Sequence, residues 1–163
     1  MLYSYNRLNA VNYARKWALK RNPNYTNFDE MGGDCSNFAS QVIHAGDCPM
    51  NYDKYGWYYE GINNRAPAWT SVKYLHKFLI KNKGVGPVAA EGDVTDIQVG
   101  DLIQLKFHSI EDFAHSLIVV DIKYPKKIDN IFIATHTIDR IDYRLSNYMY
   151  KELRFLHILG FRK

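Results

Sequence analysis

The residues best equipped for chemistry stand in one short block, Gly32-Gly33-Asp34-Cys35-Ser36-Asn37-Phe38-Ala39-Ser40-Gln41. Asp34, Ser36 and Asn37 are types that suit a helix start. The run from Phe38 to Ala45 carries apolar residues one turn apart, Phe38 with Val42 and Ala39 with Ile43, so it predicts a mostly buried helix stopped by Gly46. Cys35 then sits at or beside a helix N-terminus. Unpaired N–H groups and the positive end of the dipole favour a thiolate there, and the same groups can hold the oxyanion of a tetrahedral intermediate. That makes Cys35 a candidate nucleophile. The competing reading is a small apolar residue packed at a helix start. Asp34 is expected to cap this helix, or else to orient a substrate amine.

A thiol needs a base, and histidine is the usual one. Six are present: His44, His76, His108, His115, His136 and His157. His115 opens the β-branched run Ala114-His115-Ser116-Leu117-Ile118-Val119-Val120-Asp121, where a strand would hold it rigidly on a face shared with Leu117 and Val119. His136 ends the next such run, 131–136. If the two runs form a hairpin, His136 falls close to His115 and can fix its tautomer, the task of a triad's third member. Asp139, just beyond that strand, is the runner-up for the same task. Thr135 is expected on the opposite face. The backbone N–H of Cys35 supplies one oxyanion donor, and the sequence places no second.

Elements must bring these groups together. Residues 7–20 read as an amphipathic helix, ended by Arg21-Asn22-Pro23. After Gly46, residues 47–68 lose periodicity and fill with Tyr, Trp, Asn, Gly and Pro. Trp57, Tyr58, Tyr59 and Trp69 could wall a binding groove or pack upon one another in an Ω-type loop. Thr70-Ser71 can cap a helix from about Val72 to Lys81, and residues 88–98 read as a connector. Four strands follow, at 102–107, 114–121, 131–136 and 153–161, with connections that favour antiparallel pairing. Helices first and strands after predict an α+β fold, with N-terminal helices packed on an antiparallel sheet.

Composition sets the outer limits. The 163 residues, 47% hydrophobic and 23% charged, suit one folded domain over 1–163. The net charge of +4 accords with an anionic partner, but no basic run exceeds Lys126-Lys127, so no nucleic-acid partner is expected. Cys35 and Cys48 flank one predicted helix and are too far apart to pair. Without a Cys-x-x-Cys pair no thiolate zinc site is expected, and no other cofactor is called for. No apolar run reaches the length of a membrane span. The first residues carry no signal-peptide pattern, which predicts either a cytoplasmic chain or a domain cut from a longer, secreted parent. The expected state is a monomer.

The block Gly32 to Gln41, together with Gly100-Asp101-Leu102-Ile103 and Ala114-His115-Ser116-Leu117-Ile118-Val119, resembles the papain-fold hydrolases of the NlpC/P60 and CHAP type. The likeness is closer to a related family, the Putative amidase domain, marked by a Gly-Gly-Asp-Cys-Thr-Asn-Phe-Val-Ser-Gln-like block. Tyr5 to Ala14, Arg21-Asn22-Pro23-Asn24-Tyr25 and His136-Thr137-Ile138-Asp139 fit it too. The resemblance implies a papain-like fold, Cys35 as nucleophile, His115 as base, His136 as the polar third residue and hydrolysis of amide bonds, typically in cell-wall peptides. The stretch between His115 and His136 is longer than in many NlpC/P60 members. Two other activities share these residues. One is acyl or amide transfer through the same thioester; the other is a catalytically silent module that holds its ligand in the aromatic loop.

Overall fold

The computed structural model describes residues 1–163. Its first half is helical, with α1 (Arg7–Trp17) and α2 (Cys35–Ala45), then the short strands β1 (Tyr59–Gly61) and β2 (Asn64–Arg65), then α3 (Pro67–Thr70) and α4 (Val72–Lys81). The second half holds β3 (Gly86–Gly92), β4 (Leu102–Lys106), β5 (Phe113–Ile122), β6 (Ile131–Thr135), β7 (Arg140–Arg144) and β8 (Glu152–Arg162). These six form one sheet in the order β3-β8-β4-β5-β6-β7, every neighbour antiparallel. The architecture is α+β.

Alternation along β5 explains the layering. Ile118 and Val120 point to the helices and join a core with Phe38, Ala39, Val42 and Ile43 of α2. Leu117 and Val119 point the other way, into a second core with Leu105, Ile131, Ile133 and Leu145. β5 is therefore buried on both faces, which is why it reads as a continuous apolar run. Each fully buried side chain of this size contributes about 1.5–3 kcal/mol.

Several boundaries differ from those the sequence predicts. α1 ends at Trp17, with Ala18 as its C-cap, instead of running to Lys20. β3 lies in the stretch expected to be a connector. Its residues, Gly86-Pro87-Val88-Ala89-Ala90-Glu91-Gly92, have weak strand propensity, and pairing with β8 holds it in place. Pro87 is tolerated because β3 is an edge strand. The opposite edge, β7, is the charged run Arg140-Ile141-Asp142-Tyr143-Arg144, a composition that discourages pairing with another chain. The last strand, β8, lies between β3 and β4. α4 matches its predicted span, with the Ser71 hydroxyl accepting from the Tyr74 N–H.

Candidate active site

Gly32 and Gly33 lead into α2 with φ of +97° and +104°, a left-handed conformation that other residues adopt at a cost. The turn they make buries Asp34 completely. Asp34 does not cap the helix with its side chain as expected. Its Oδ1 instead accepts from the Phe28 N–H at 2.8 Å and Asn37 Nδ2 at 2.9 Å, and its Oδ2 faces His136 Nδ1 at 2.5 Å. The first turn of α2 is thus left without a side-chain cap, and Cys35 is its first residue.

Two indoles fix the helix. Trp69 Nε1 donates to Asn37 Oδ1 and Trp57 Nε1 donates to Ser40 Oγ, each at 2.9 Å. The rings meet at a tilt, with centroids 4.7 Å apart, and are fully buried. Trp57 and Trp69 are therefore core supports of α2, not walls of an open groove, and Tyr59 is buried with them. Only Tyr58 of the expected groove residues is partly exposed, stacked on Tyr52.

Cys35 lies against β5. The Ser36 hydroxyl and the Ser116 hydroxyl are 2.9 Å apart. The backbone N–H groups of Ser36 and Ser116 and the Ser36 hydroxyl all favour a thiolate at Cys35. Burial outweighs them, with Asp34 adding repulsion, and holds the thiol above its ordinary value. Cys35 is 7% exposed, and so is His115, the residue before Ser116 on β5. Burial alone lowers the His115 imidazole to about 4, so it is neutral at neutral pH. At rest the site holds a neutral thiol at the start of α2, against Ser116, and a neutral imidazole at the preceding residue of β5, His115, with no hydrogen bond joining them. The helix N-terminus does not suffice to make the thiolate predicted from sequence.

The polar neighbour of His115 is Thr135, whose Oγ1 is 3.4 Å from Nε2. Thr135 also lies 2.8 Å from the Ser116 carbonyl and 3.0 Å from the His136 carbonyl. A hydroxyl has one proton, which goes to one of those carbonyls, so Thr135 presents lone pairs to the imidazole. Contacts of this kind are often long before substrate binds.

His136 is not in contact with His115, contrary to the expected hydrogen bond. Its Nδ1 faces Asp34, its Nε2 faces the Trp17 carbonyl at 2.8 Å, and its ring stacks on Phe38 at 4.1 Å. Both ring nitrogens are engaged beneath α2. Strand alternation gives the reason: Thr135 shares the face of Ile133 and His115, while His136 turns to the helix side. Asp139, the runner-up, is held by both terminal nitrogens of Arg21 at 2.9 Å each.

Other rings gather at His115. Tyr148 meets it edge-on at 6.0 Å and Phe107 lies 6.5 Å away. Burial, together with the nearby Tyr143 and Cys35, pushes the Tyr148 phenol well above its ordinary range. Thr135 and Tyr148 are the residues that reading the sequence missed. Counting alternation back from Ile133 would have found Thr135. Tyr148 follows a short 3-10 turn, Leu145–Asn147, and nothing in its local pattern points to the site.

With this geometry in place, comparison with known proteins is informative. The family model described as Putative amidase domain matches residues 4–159. The chain belongs to that family. Its relatives include two proteins of Bacillus subtilis (strain 168), both uncharacterized. YhbB is 33% identical over 121 residues, covering 72% of this chain and 38% of YhbB. YjcM is 27% identical over 100 residues, covering 61% of this chain and 22% of YjcM. The chain thus spans well under half of each relative's length. No solved structure matches it. No helix is long and apolar enough to cross a membrane.

Proposed function

We propose that residues 1–163 act as one catalytic domain, a cysteine-dependent hydrolase of amide bonds in peptides, with bacterial cell-wall peptides as substrate. The observation that carries this reading is the placement of Cys35 at an uncapped helix start against Ser116, next in sequence to a buried, neutral His115. Family membership adds amide hydrolysis as the general activity.

In this mechanism Thr135 accepts from His115 Nε2–H, which leaves the lone pair on Nδ1. Nδ1 takes the proton from the Cys35 thiol as sulfur attacks the amide carbonyl. The Cys35 N–H, part of the uncapped first turn, stabilises the oxyanion. The C–N bond then breaks, and the imidazolium returns its proton to the leaving amine. Water, deprotonated by His115, cleaves the thioester and restores the thiol. Because the thiol is held high and the imidazole low, proton transfer accompanies attack instead of preceding it. An amine in place of that water would make the same site a transferase.

The test is digestion of purified wall material with mass analysis of the fragments. New N-termini that appear with the intact chain and vanish in Cys35→Ala and His115→Ala support the reading. Hydrolysis that survives Cys35→Ala sinks it. The near-complete burial of Cys35 and His115 is what favours the second reading, a silent binding module. That reading predicts retention of wall fragments without cleavage.

A further inference from the structure

Seven of the eight arginines have an acceptor within the chain: Arg7, Arg15, Arg21, Arg65, Arg144, Arg154 and Arg162. Arg140 has none. Its guanidinium lies over the Tyr143 ring, 4.6 Å from the centroid, and is half-buried. The carboxylates that flank it in sequence are already engaged: Asp139 by Arg21 and Asp142 by Arg15.

The position of Arg140 gives this meaning. Arg140 is in register with Thr135 across the β6–β7 pair, so their side chains share a face. Thr135 is the residue that touches His115. Tyr143 packs edge-on against Tyr148 at 5.1 Å, and Tyr148 packs edge-on against His115 at 6.0 Å. A continuous surface therefore runs from His115 through Tyr148 and Tyr143 to Arg140. The Tyr148 hydroxyl, like Arg140, has no acceptor within the chain. Its phenol stays protonated, so it is a donor, and it lies within electrostatic reach of both Arg140 and Cys35.

We infer that this surface receives a substrate carboxylate, bound by the Arg140 guanidinium and the Tyr148 hydroxyl. Two donors without acceptors, one of them cationic, match an anionic oxygen pair, whereas a neutral amide would leave the charge uncompensated. The inference rests on the hydrolase reading for its direction. His115 hands its proton to the leaving amine, so groups beside His115 contact the leaving half of the substrate. The carboxylate thus belongs to the residue that supplies that amine, either as its α-carboxylate or as an acidic side chain.

Two alkylating reagents of similar shape, iodoacetate and iodoacetamide, test the charge preference without any substrate. The ratio of their rates at Cys35, read by mass analysis of the peptide, is expected to fall about tenfold in Arg140→Gln, the size of one charge-assisted hydrogen bond. Arg140→Lys should keep most of the ratio, and Tyr148→Phe should lower it by a smaller factor. A ratio equal in Arg140→Gln and the unaltered chain overturns the inference, whether or not the chain hydrolyses anything. Absence of hydrolysis by the unaltered chain, with the ratio falling in Arg140→Gln as expected, would instead strike the hydrolase reading. In wall digests, the fragments released should begin with a residue that bears a free carboxylate, and Arg140→Gln should raise KM for them more than it lowers kcat. Fragments that begin with neutral residues would overturn the assignment.

Discussion

His115 makes the chemistry of the site measurable by pH. Its folded value, about 4, lies below the ordinary 6.5. The unfolded chain therefore takes up this proton first as pH falls. The group contributes no penalty above about 6.5, and stability is lost as pH drops from there toward 4, by about 3 kcal/mol from this residue. His115→Gln should flatten that part of the pH dependence of denaturant unfolding; an unaltered acid slope would show that His115 is not buried neutral. For activity, the acid limb of kcat/KM should fall near pH 4 rather than near 6.5. Thr135 acts on the same ring. Thr135→Val keeps the shape but removes the acceptor, and should slow iodoacetamide alkylation of Cys35 at neutral pH by about tenfold, with Thr135→Ser retaining most of the rate. Nitrogen NMR of His115 should report the proton on Nε2 in the unaltered chain, and a proton found on Nδ1 contradicts the assignment.

At the level of elements, α2 is the piece on which everything turns, and it is held from below by polar contacts that sit where a core would be apolar. The buried pair Asp34 and His136 lies under its first turn, and Asn37 and Ser40 reach the two indoles. Asp34→Ala strips His136 of its partner and should cost about 3–5 kcal/mol in denaturant unfolding, as breaking a buried pair does. A loss under 1 kcal/mol would show that the pair carries little. This arrangement also shows what could be read in advance. The spans of α2 and α4 and the central strands were legible because apolar spacing and caps are local signals. Cys35 and His115 could be singled out as candidates because the block Gly32 to Gln41 and the head of β5 each carry their own pattern. The partner of His115 was not, because it depends on which face of β6 meets β5, and the plausible histidine at 136 lies one residue away on the wrong side. The indoles misled for a related reason: Trp57 and Trp69 sit in aperiodic sequence, and burial there is decided by α2 and α4 folding over them. β3 was hidden because Gly, Pro and Ala reveal a strand only through the partner that pairs with them.

At the scale of the whole molecule, the two ends of the chain are locked through Asp101. This carboxylate is fully buried and accepts four contacts: Arg7 at 2.7 Å and the Ile158 N–H at 2.9 Å on Oδ1, the Gln98 N–H at 2.8 Å and His157 Nδ1 at 2.7 Å on Oδ2. Arg7 begins α1 and also donates to the carbonyls of Val99 and Ile158. One side chain therefore joins the N-terminal helix, the turn before β4 and the end of β8. α1 in turn packs on α2 and β5, with its Trp17 carbonyl receiving His136, so loosening α1 should reach the cysteine. Asp101→Asn keeps the size but replaces one acceptor by an NH2 that faces existing donors, and removes the charge opposite Arg7. The expected loss is about 3–5 kcal/mol in denaturant unfolding. Amide exchange should accelerate first at Tyr3 and Phe161, whose paired N–H groups close the terminal bridge, and at the start of α1. Cys35 should then alkylate faster as its cover loosens, although no residue touching it has changed. If Asp101→Asn unfolds within about 0.5 kcal/mol of the unaltered chain, or if exchange at the termini stays slow while stability falls, the carboxylate is not the clasp that joins the two halves.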